Sequence, residues 1–465
     1  MTARLKFSIP TALVLLCTGA VRADVALPPV FSQGMVLQAE LAVPIFGTAA
    51  DGEKVTVEFS GQNKSTVAKD GKWKIVLDPL KPGGYPLVGA GRGELKIAGK
   101  NSITIKNVLV GEVWLASGQS NMKFPLARAA DAEKEIAKAD FAEVRYFVAP
   151  SGPWVATTPK TAGGFSAAAY YFAVNLHQRL RRPVGIIDSS VSGAVAQQFI
   201  SPQAIRALEK DPSVAHALSQ HGEPLGDVFQ QSVAPLAPYG IRGAFWCQGE
   251  GNRDYPVTYR KLLATLIAEW RQLWGGGNFP FLIVQLANYG ERKAEPWEGK
   301  DCAIREVQLQ TAQAVPHCAL IVAIDLGLAK DVHYPNKKPV GDRAALAARA
   351  LAYGERIEYS GPLFHSAEFK DGKAVVSFTH VGGGLVAQGG KLKGFLLCGA
   401  DKRFVRAEAA IDGDKLVVQS TAVAKPVAVR YAWERNPECN LCNRQGLPAS
   451  PFRSDEIVNY WTKDN

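Results

Sequence analysis

Cysteine, histidine and methionine are all scarce in this 465-residue chain, with seven, seven and three residues respectively. So thin a cysteine set excludes a disulfide scaffold, although one or two bridges remain open outside the cytosol. Cys439 and Cys442 form a lone C-x-x-C with no second pair nearby, a poor zinc site. Pro437 and Asn440 spoil the helix start that a redox pair needs, so loop cysteines or a local bridge are expected. No apolar run is long enough to span a bilayer. No block of Lys and Arg is interleaved with aromatics, which removes nucleic acid as the implied partner. The G-x-S-x-G elbow of ordinary α/β-hydrolases is missing too.

What is present begins with an export signature. Arg4 and Lys6 precede the apolar stretch Ile9 to Leu16, and Val21-Arg22-Ala23 follows. This pattern predicts a signal peptide over residues 1–23, hence an exported protein, periplasmic or extracellular. Leu16 is too large for a lipoprotein site at Cys17. Cleavage removes three basic and no acidic side chains, so the formal charge of +10 drops to a mild +7. At most that gives a weak attraction to acidic polymers.

Three regions follow. Residues 24–110 carry short alternating runs (Ala42–Phe46, Lys54–Phe59, Trp73–Leu77, Glu94–Ile97, Ser102–Val108) separated by turns such as Asp51-Gly52, Asp70-Gly71 and Lys81–Gly84. A β-rich, sandwich-like domain is expected there. Over 111–358 strands alternate with longer helical stretches. The strands are Val113–Ala116, Val184–Asp188, Gly240–Cys247, Phe281–Leu286 and Ala319–Asp325. The helices are Ala167–Leu180, Tyr255–Trp274, Ala303–Ala314 and Ala344–Tyr353. Tyr259, Leu262, Leu263, Leu266, Ile267 and Trp270 recur at three and four, an amphipathic face. Several strands are nearly all apolar, as when both sheet faces are covered. The expectation is an α/β fold, a three-layer parallel-sheet domain. Over 359–465 strands return (Ala374–Thr379, Gly394–Leu397, Leu416–Gln419, Val427–Tyr431) and predict a second sandwich-like domain with a packed, loop-like tail at Asn436–Arg453.

Four polar clusters end strands of the middle region: Gln119-Ser120-Asn121, Ser189–Gly193, Gln248–Asn252 and Asp325–His333. Parallel strands place all four at one sheet edge, where such folds carry chemistry. Ester hydrolysis needs a nucleophile, a base, a group that holds the base and donors for the oxyanion. Ser120 is the candidate nucleophile and His333, alone among the histidines in lying in such a cluster, the base. Asp331 is the acid that orients it, with Asp325 as the fallback. The N–H groups of Ser120 and Gly193 and the amide of Asn252 are the oxyanion donors. Gln119, Gln248, Glu250 and Tyr334 are candidate substrate contacts, and Trp246 and Trp297 candidate sugar platforms, with core packing the competing role for Trp246. No metal or cofactor is called for.

The segments GEVWLASGQSNM, WCQGEGN, DVHYPNKKPVGDRAA and RYAWERNPECNLCNRQGLPASPFRSD resemble the sialate O-acetylesterase family, a branch of the SGNH (GDSL-like) hydrolases. The resemblance covers essentially the whole mature chain. It implies an SGNH-like sheet domain and a Ser-His-Asp esterase that removes O-acetyl groups from sugars. On it, Ser120 resembles the nucleophile, His333 the base, and Gly193 and Asn252 the oxyanion-hole residues. This chain departs from the family at His333-Tyr334-Pro335, where Asp-x-His-Pro is usual, and Tyr334 is expected to narrow the pocket or shift the loop. Asp331 lies one residue nearer the histidine than in Asp-x-x-His. SSVSGAVAQQF is poorer in Trp and Gly than its counterpart, and Cys442 stands where tyrosine is common. The implied substrate is an O-acetylated sugar or polysaccharide, with acetylated xylan as compatible as sialic acid. A carbohydrate-binding protein with an inactive hydrolase core is the alternative from another class, and a lipase or thioesterase the alternative enzyme.

Overall fold

The computed structural model describes residues 24–83, 92–220 and 224–455. The expected signal peptide at 1–23, Gly84 of the Lys81–Gly84 turn and His221 lie outside the described residues.

Parallel strands in the order Cys318–Ile321, Phe281–Val284, Gly243–Cys247, Ser102–Gly118, Val184–Asp188 and Phe141–Val148 form the heart of the molecule. Val155–Thr157 closes the far edge antiparallel to Phe141–Val148. The expected strands and helices of the middle region are all present, with ends shifted by a few residues. The strand expected at Gly240–Cys247 starts at Gly243, and the one expected to reach Asp325 stops at Ile321. Phe141–Val148 was not expected, because Glu143 and Arg145 interrupt its apolar pattern. Arg145 is nevertheless buried, donating to Gly34 O at 2.5 Å and Asn107 O at 2.8 Å.

Alternate strand residues face opposite layers. Leu115, Ala244, Trp246, Phe281, Ile283 and Leu320 join the core beneath helices Pro256–Trp274 and Lys300–Ala314. Trp114, Ala116, Phe245, Leu282, Val284 and Ile321 join the core beneath Ala167–Leu180 and Lys338–Tyr353. The face read from Tyr259 to Trp270 is the buried one, and each such side chain taken from water contributes about 2 kcal/mol. Trp246 is fully buried against Phe199 and Trp270, so it is core and not a sugar platform.

Ser102–Gly118 is a single 17-residue strand that passes through the position where a domain boundary was placed at 110/111. Its first half pairs antiparallel with Arg92–Ala98 and its second half parallel with Val184–Asp188 and Gly243–Cys247, joining both regions in one sheet. Val36–Gln38 and Gln62–Val67, absent from the expected strands, complete the N-terminal pairing.

Two four-stranded sheets build the C-terminal region: Leu363–Lys370, Lys373–Thr379, Lys415–Gln419 and Glu408–Asp412; and Val405–Arg406, Phe395–Cys398, Ala428–Tyr431 and Phe452–Arg453. Phe452 stacks on Phe364 across them, with ring centroids 4.6 Å apart. The tail expected as loop instead contributes strands Leu441–Asn443 and Phe452–Arg453, because its backbone groups pair with Leu385–Ala387 and Ala428–Tyr431. All six described cysteines are free, and Cys442 sits inside a strand, so the local bridge is not formed. One fully buried guanidinium, Arg305, joins this region to the parallel-sheet unit. It donates to Leu286 O, Ala287 O, Glu434 O and Arg435 O at 2.8–3.0 Å.

Candidate active site

The central strand ends at Gly118, whose φ of +125° and approach to Cys247 O leave no room for a side chain. A Cβ there would lie 2.1 Å from that carbonyl oxygen. The chain turns at this point and enters the short helix Ser120–Lys123 with Ser120 as its first residue. Gln119 is buried beneath the turn. Its N–H donates to Cys247 O, and its side-chain oxygen accepts from Gly251 N at 3.1 Å. It ties two loops together through its side-chain oxygen.

Next to this turn, residues 189–193 are fastened to the same strand. Ser189 N donates to Ala116 O, Val191 N to Gly118 O, and Ser189 Oγ to Ser117 Oγ at 2.9 Å. Asp188 anchors the loop from below, accepting from Ser190 N at 2.8 Å and from Tyr146 OH at 2.6 Å. Burial, followed by the adjacent Asp188 carboxylate, raises the Tyr146 phenol well above its ordinary pKa and keeps it a donor. Gly193 has φ +80° and open space around it, so its positive φ, and no close neighbour, is what calls for glycine. The N–H groups of Ser120 and Gly193 enter none of the turn and loop hydrogen bonds among the described residues.

Asn252 is buried, and both lone pairs of its side-chain oxygen are occupied. Gln248 Nε2 donates to it at 2.7 Å and Ala196 N at 2.9 Å. The amide is thereby oriented, with Nδ2 pointing away from those donors. One of its two protons goes to Gln197 Oε1 at 2.9 Å, which leaves the second for a ligand. Gln248 is fully buried in this amide chain and positions Asn252. Gln197 escaped sequence reasoning. No local pattern marked it, because its partner is 55 residues away.

The fourth cluster closes the site. His333 Nε2 lies 2.8 Å from Ser120 Oγ although the two are 213 residues apart. On the other side of the ring, Nδ1 is 3.4 Å from Asp331 Oδ1, and that same oxygen accepts from the His333 N–H at 2.8 Å. Asp331 is about half exposed, its side chain at 51%. Asp325 is held elsewhere, in a two-pronged pair with Arg343 at 2.8 and 2.6 Å, and does not reach the imidazole. Tyr334, expected in the pocket, is buried beneath the loop in the helix-facing core, with the Lys337 ammonium 3.3 Å from its ring centroid.

Two further titratable side chains, the half-buried Glu250 and the buried Lys337, meet at Asn121 beside the dyad. Glu250 Oε1 accepts from Asn121 Nδ2 at 2.6 Å, while Oε2 is buried and has no hydrogen-bond partner. Burial raises its pKa above the usual carboxylate value. Lys337 Nζ donates to Asn121 Oδ1 at 2.6 Å, and burial lowers its pKa to about 8 against the pull of Cys247, Glu250 and Asp331. Asn121 and Lys337 were not singled out in the sequence. A lysine between Asn336 and a second lysine reads as a solvated turn. Trp297 is partly exposed with Lys293 over its ring, 4.2 Å from the centroid. Among the described residues no group of three His, Cys, Asp or Glu side chains is placed to hold a metal ion.

An activated hydroxyl, an imidazole and oriented amide donors at one sheet edge are suited to attack on a carbonyl carbon. A family model described as carbohydrate esterase, sialic acid-specific acetylesterase matches residues 110–349. The crystal structure of a carbohydrate acetylesterase from Xanthomonas citri is 38% identical, with a TM-score of 0.83, covering 93% of this chain and 100% of that one. Sialate O-acetylesterases of Homo sapiens and Pongo abelii are each 29% identical over 481 residues, covering 90% of this chain and 90% of the relative.

Proposed function

Because this chain belongs to the carbohydrate esterase family of sialic acid-specific acetylesterases and is a carboxylic ester hydrolase, we propose that it removes O-acetyl groups from sugars by a Ser-His-Asp acyl-enzyme route. Carbohydrate O-acetylesterase activity is its function, and the mechanism below is our reading of the site.

Ser120 Oγ attacks the acetyl carbonyl carbon as His333 Nε2 takes the hydroxyl proton. The N–H groups of Ser120 and Gly193 and the free amide proton of Asn252 receive the oxyanion. The tetrahedral intermediate collapses, the sugar oxygen leaves with the proton from His333, and an acetyl-enzyme ester remains on Ser120. Water, deprotonated by His333, attacks that ester, and the intermediate collapses to acetate as His333 returns the proton to the departing Ser120 Oγ. Asp331 holds the imidazole in the tautomer that keeps Nε2 unprotonated and steadies the imidazolium formed in each step.

The observation that carries this reading is the 2.8 Å contact between Ser120 Oγ and His333 Nε2, bridged across 213 residues. Residues 1–23 support export, and no helix among the described residues is long and apolar enough to cross a membrane. We assign the catalytic unit to 111–358, with flanking β-rich regions at 24–110 and 359–465. An acetate-release screen across O-acetylated sialic acids, acetylated xylans and simple acetyl sugars, run beside Ser120→Ala, tests the proposal. Acetate release that Ser120→Ala abolishes is expected, and full activity of that variant would remove the mechanism. A fluorophosphonate that fails to label the wild-type protein would favour a binding protein with an inactive core.

A further inference from the structure

Asn121 follows the nucleophile directly and is 3% exposed. Every polar atom of its side chain is used. Nδ2 donates to Glu250 Oε1 at 2.6 Å and to Val332 O at 3.2 Å, and Oδ1 accepts from Lys337 Nζ at 2.6 Å. Val332 O belongs to the peptide just ahead of His333, so one amide ties the nucleophile's own turn to the backbone that carries the base.

Lys337 is 1% exposed, and among the described residues no carboxylate lies within ion-pair distance of its ammonium. Its other neighbours are the faces of Tyr334 and Phe124, with centroids at 3.3 and 5.0 Å. Burying a cation without a carboxylate is costly, and aromatic faces offset only part of that cost. Its one oriented hydrogen bond goes to Asn121. An ammonium on an amide oxygen draws electron density from the nitrogen and strengthens what the N–H groups donate. Glu250, on the far side of the same amide, accepts one of those donations.

We propose that Lys337 and Asn121 are positioning residues that fasten the His333 loop onto the Ser120 turn, the buried ammonium tightening the amide's hold on the Val332 carbonyl. The clasp acts through the Ser120–His333 contact and rests on that reading of the site. It predicts a loss in turnover and not in affinity, since neither residue meets the sugar.

The test uses the full-length protein, with rates of Ser120 labelling by a fluorophosphonate beside kcat and KM for acetate release. Lys337→Met is expected to slow labelling and kcat about ten-fold or more, with KM within about two-fold, in protein that remains folded at the assay temperature. Asn121→Asp sets an acceptor against Val332 O and Glu250, and it is expected to lose more. Lys337→Gln, which keeps a donor without the charge, is expected to recover only part of the loss. Wild-type labelling and turnover in Lys337→Met would overturn the clasp. So would losses that track the unfolded fraction alone. If Lys337→Met does not fold, Lys337→Gln decides: slowed labelling in the folded protein supports the clasp and wild-type rates overturn it. Failure of the wild-type protein to label would strike the nucleophile assignment itself, before any variant is compared.

Discussion

The two halves of the site are built in opposite ways. The nucleophile half grows out of sheet backbone. Ser120 follows the end of the central strand, the 189–193 loop is bonded to that strand at Ala116, Ser117 and Gly118, and Asn252 is oriented by the amides of Gln248 and Gln197. The base half is a loop with an exposed stretch at Leu328–Asp331, where the acid that faces His333 is half in water. The proposed oxyanion donors are thus held by backbone and amide hydrogen bonds, and the proposed acid lies on a solvent-exposed loop. The few ties of the base loop accordingly matter more one by one. Arg343 binds Asp325, Asn288 Oδ1 accepts from Gly327 N at 2.7 Å, and Asn121 binds Val332 O.

The sharpest way to break that contrast is to remove the shared centre. Ser120→Ala and His333→Ala are each expected to lower kcat on the order of 10⁵-fold, measured by acetate release, with the pair no worse than either alone. Asn252→Ala probes the nucleophile half, and a fall of about 10² to 10³ in kcat with little change in KM is expected. Asp331→Asn probes the base half. A half-exposed carboxylate at 3.4 Å from Nδ1 is expected to count for only about 10- to 100-fold in kcat. A loss there as large as that of Ser120→Ala would show the base half to be as finely determined as the other.

The smallest effect is on stability against pH. Lys337 titrates near 10.5 when unfolded and near 8 when folded, so between those values the unfolded chain holds more protons and stability rises with pH. The destabilisation is therefore fully present below pH 8 and relieved as pH climbs toward 10.5. It amounts to roughly 3 kcal/mol at most. Urea midpoints of Lys337→Met from pH 7.5 to 10 are expected to lack that rise relative to wild type. Cys247, pushed up to about 12 by burial, is common to both proteins.

Much of this arrangement was legible in the residues, for physical reasons that also mark where reading stopped. Ser120 follows one strand end directly and His333 lies in the loop beyond another, and parallel strands in an open sheet bring such ends together whatever lies between them. Asn252 was proposed on the same ground. The burial of Gln119, Gln248 and Tyr334 was not legible, because a polar or aromatic residue in a loop looks alike whether it faces solvent or lies beneath the loop. Here all three point inward and hold other groups in place. Lys337 was invisible for the converse reason: lysine is almost always solvated, and only packing shows an ammonium between two rings. The apparent change of grammar near residue 110 had a different cause. Ser102–Gly118 alternates in burial over its first half and is wholly buried over its second, so one strand in two environments reads as two elements.

That strand has a consequence for how the protein comes apart. A chain in which a β-rich region and a catalytic unit share one length of backbone has no seam at residue 110. Heating is expected to melt both in a single calorimetric transition. Grafting the catalytic unit onto another partner by cutting there would sever pairings on both sides, leaving raw sheet edges in each fragment. The N-terminal region is in this sense inherited with the catalyst, as the root of the strand that ends beside Ser120.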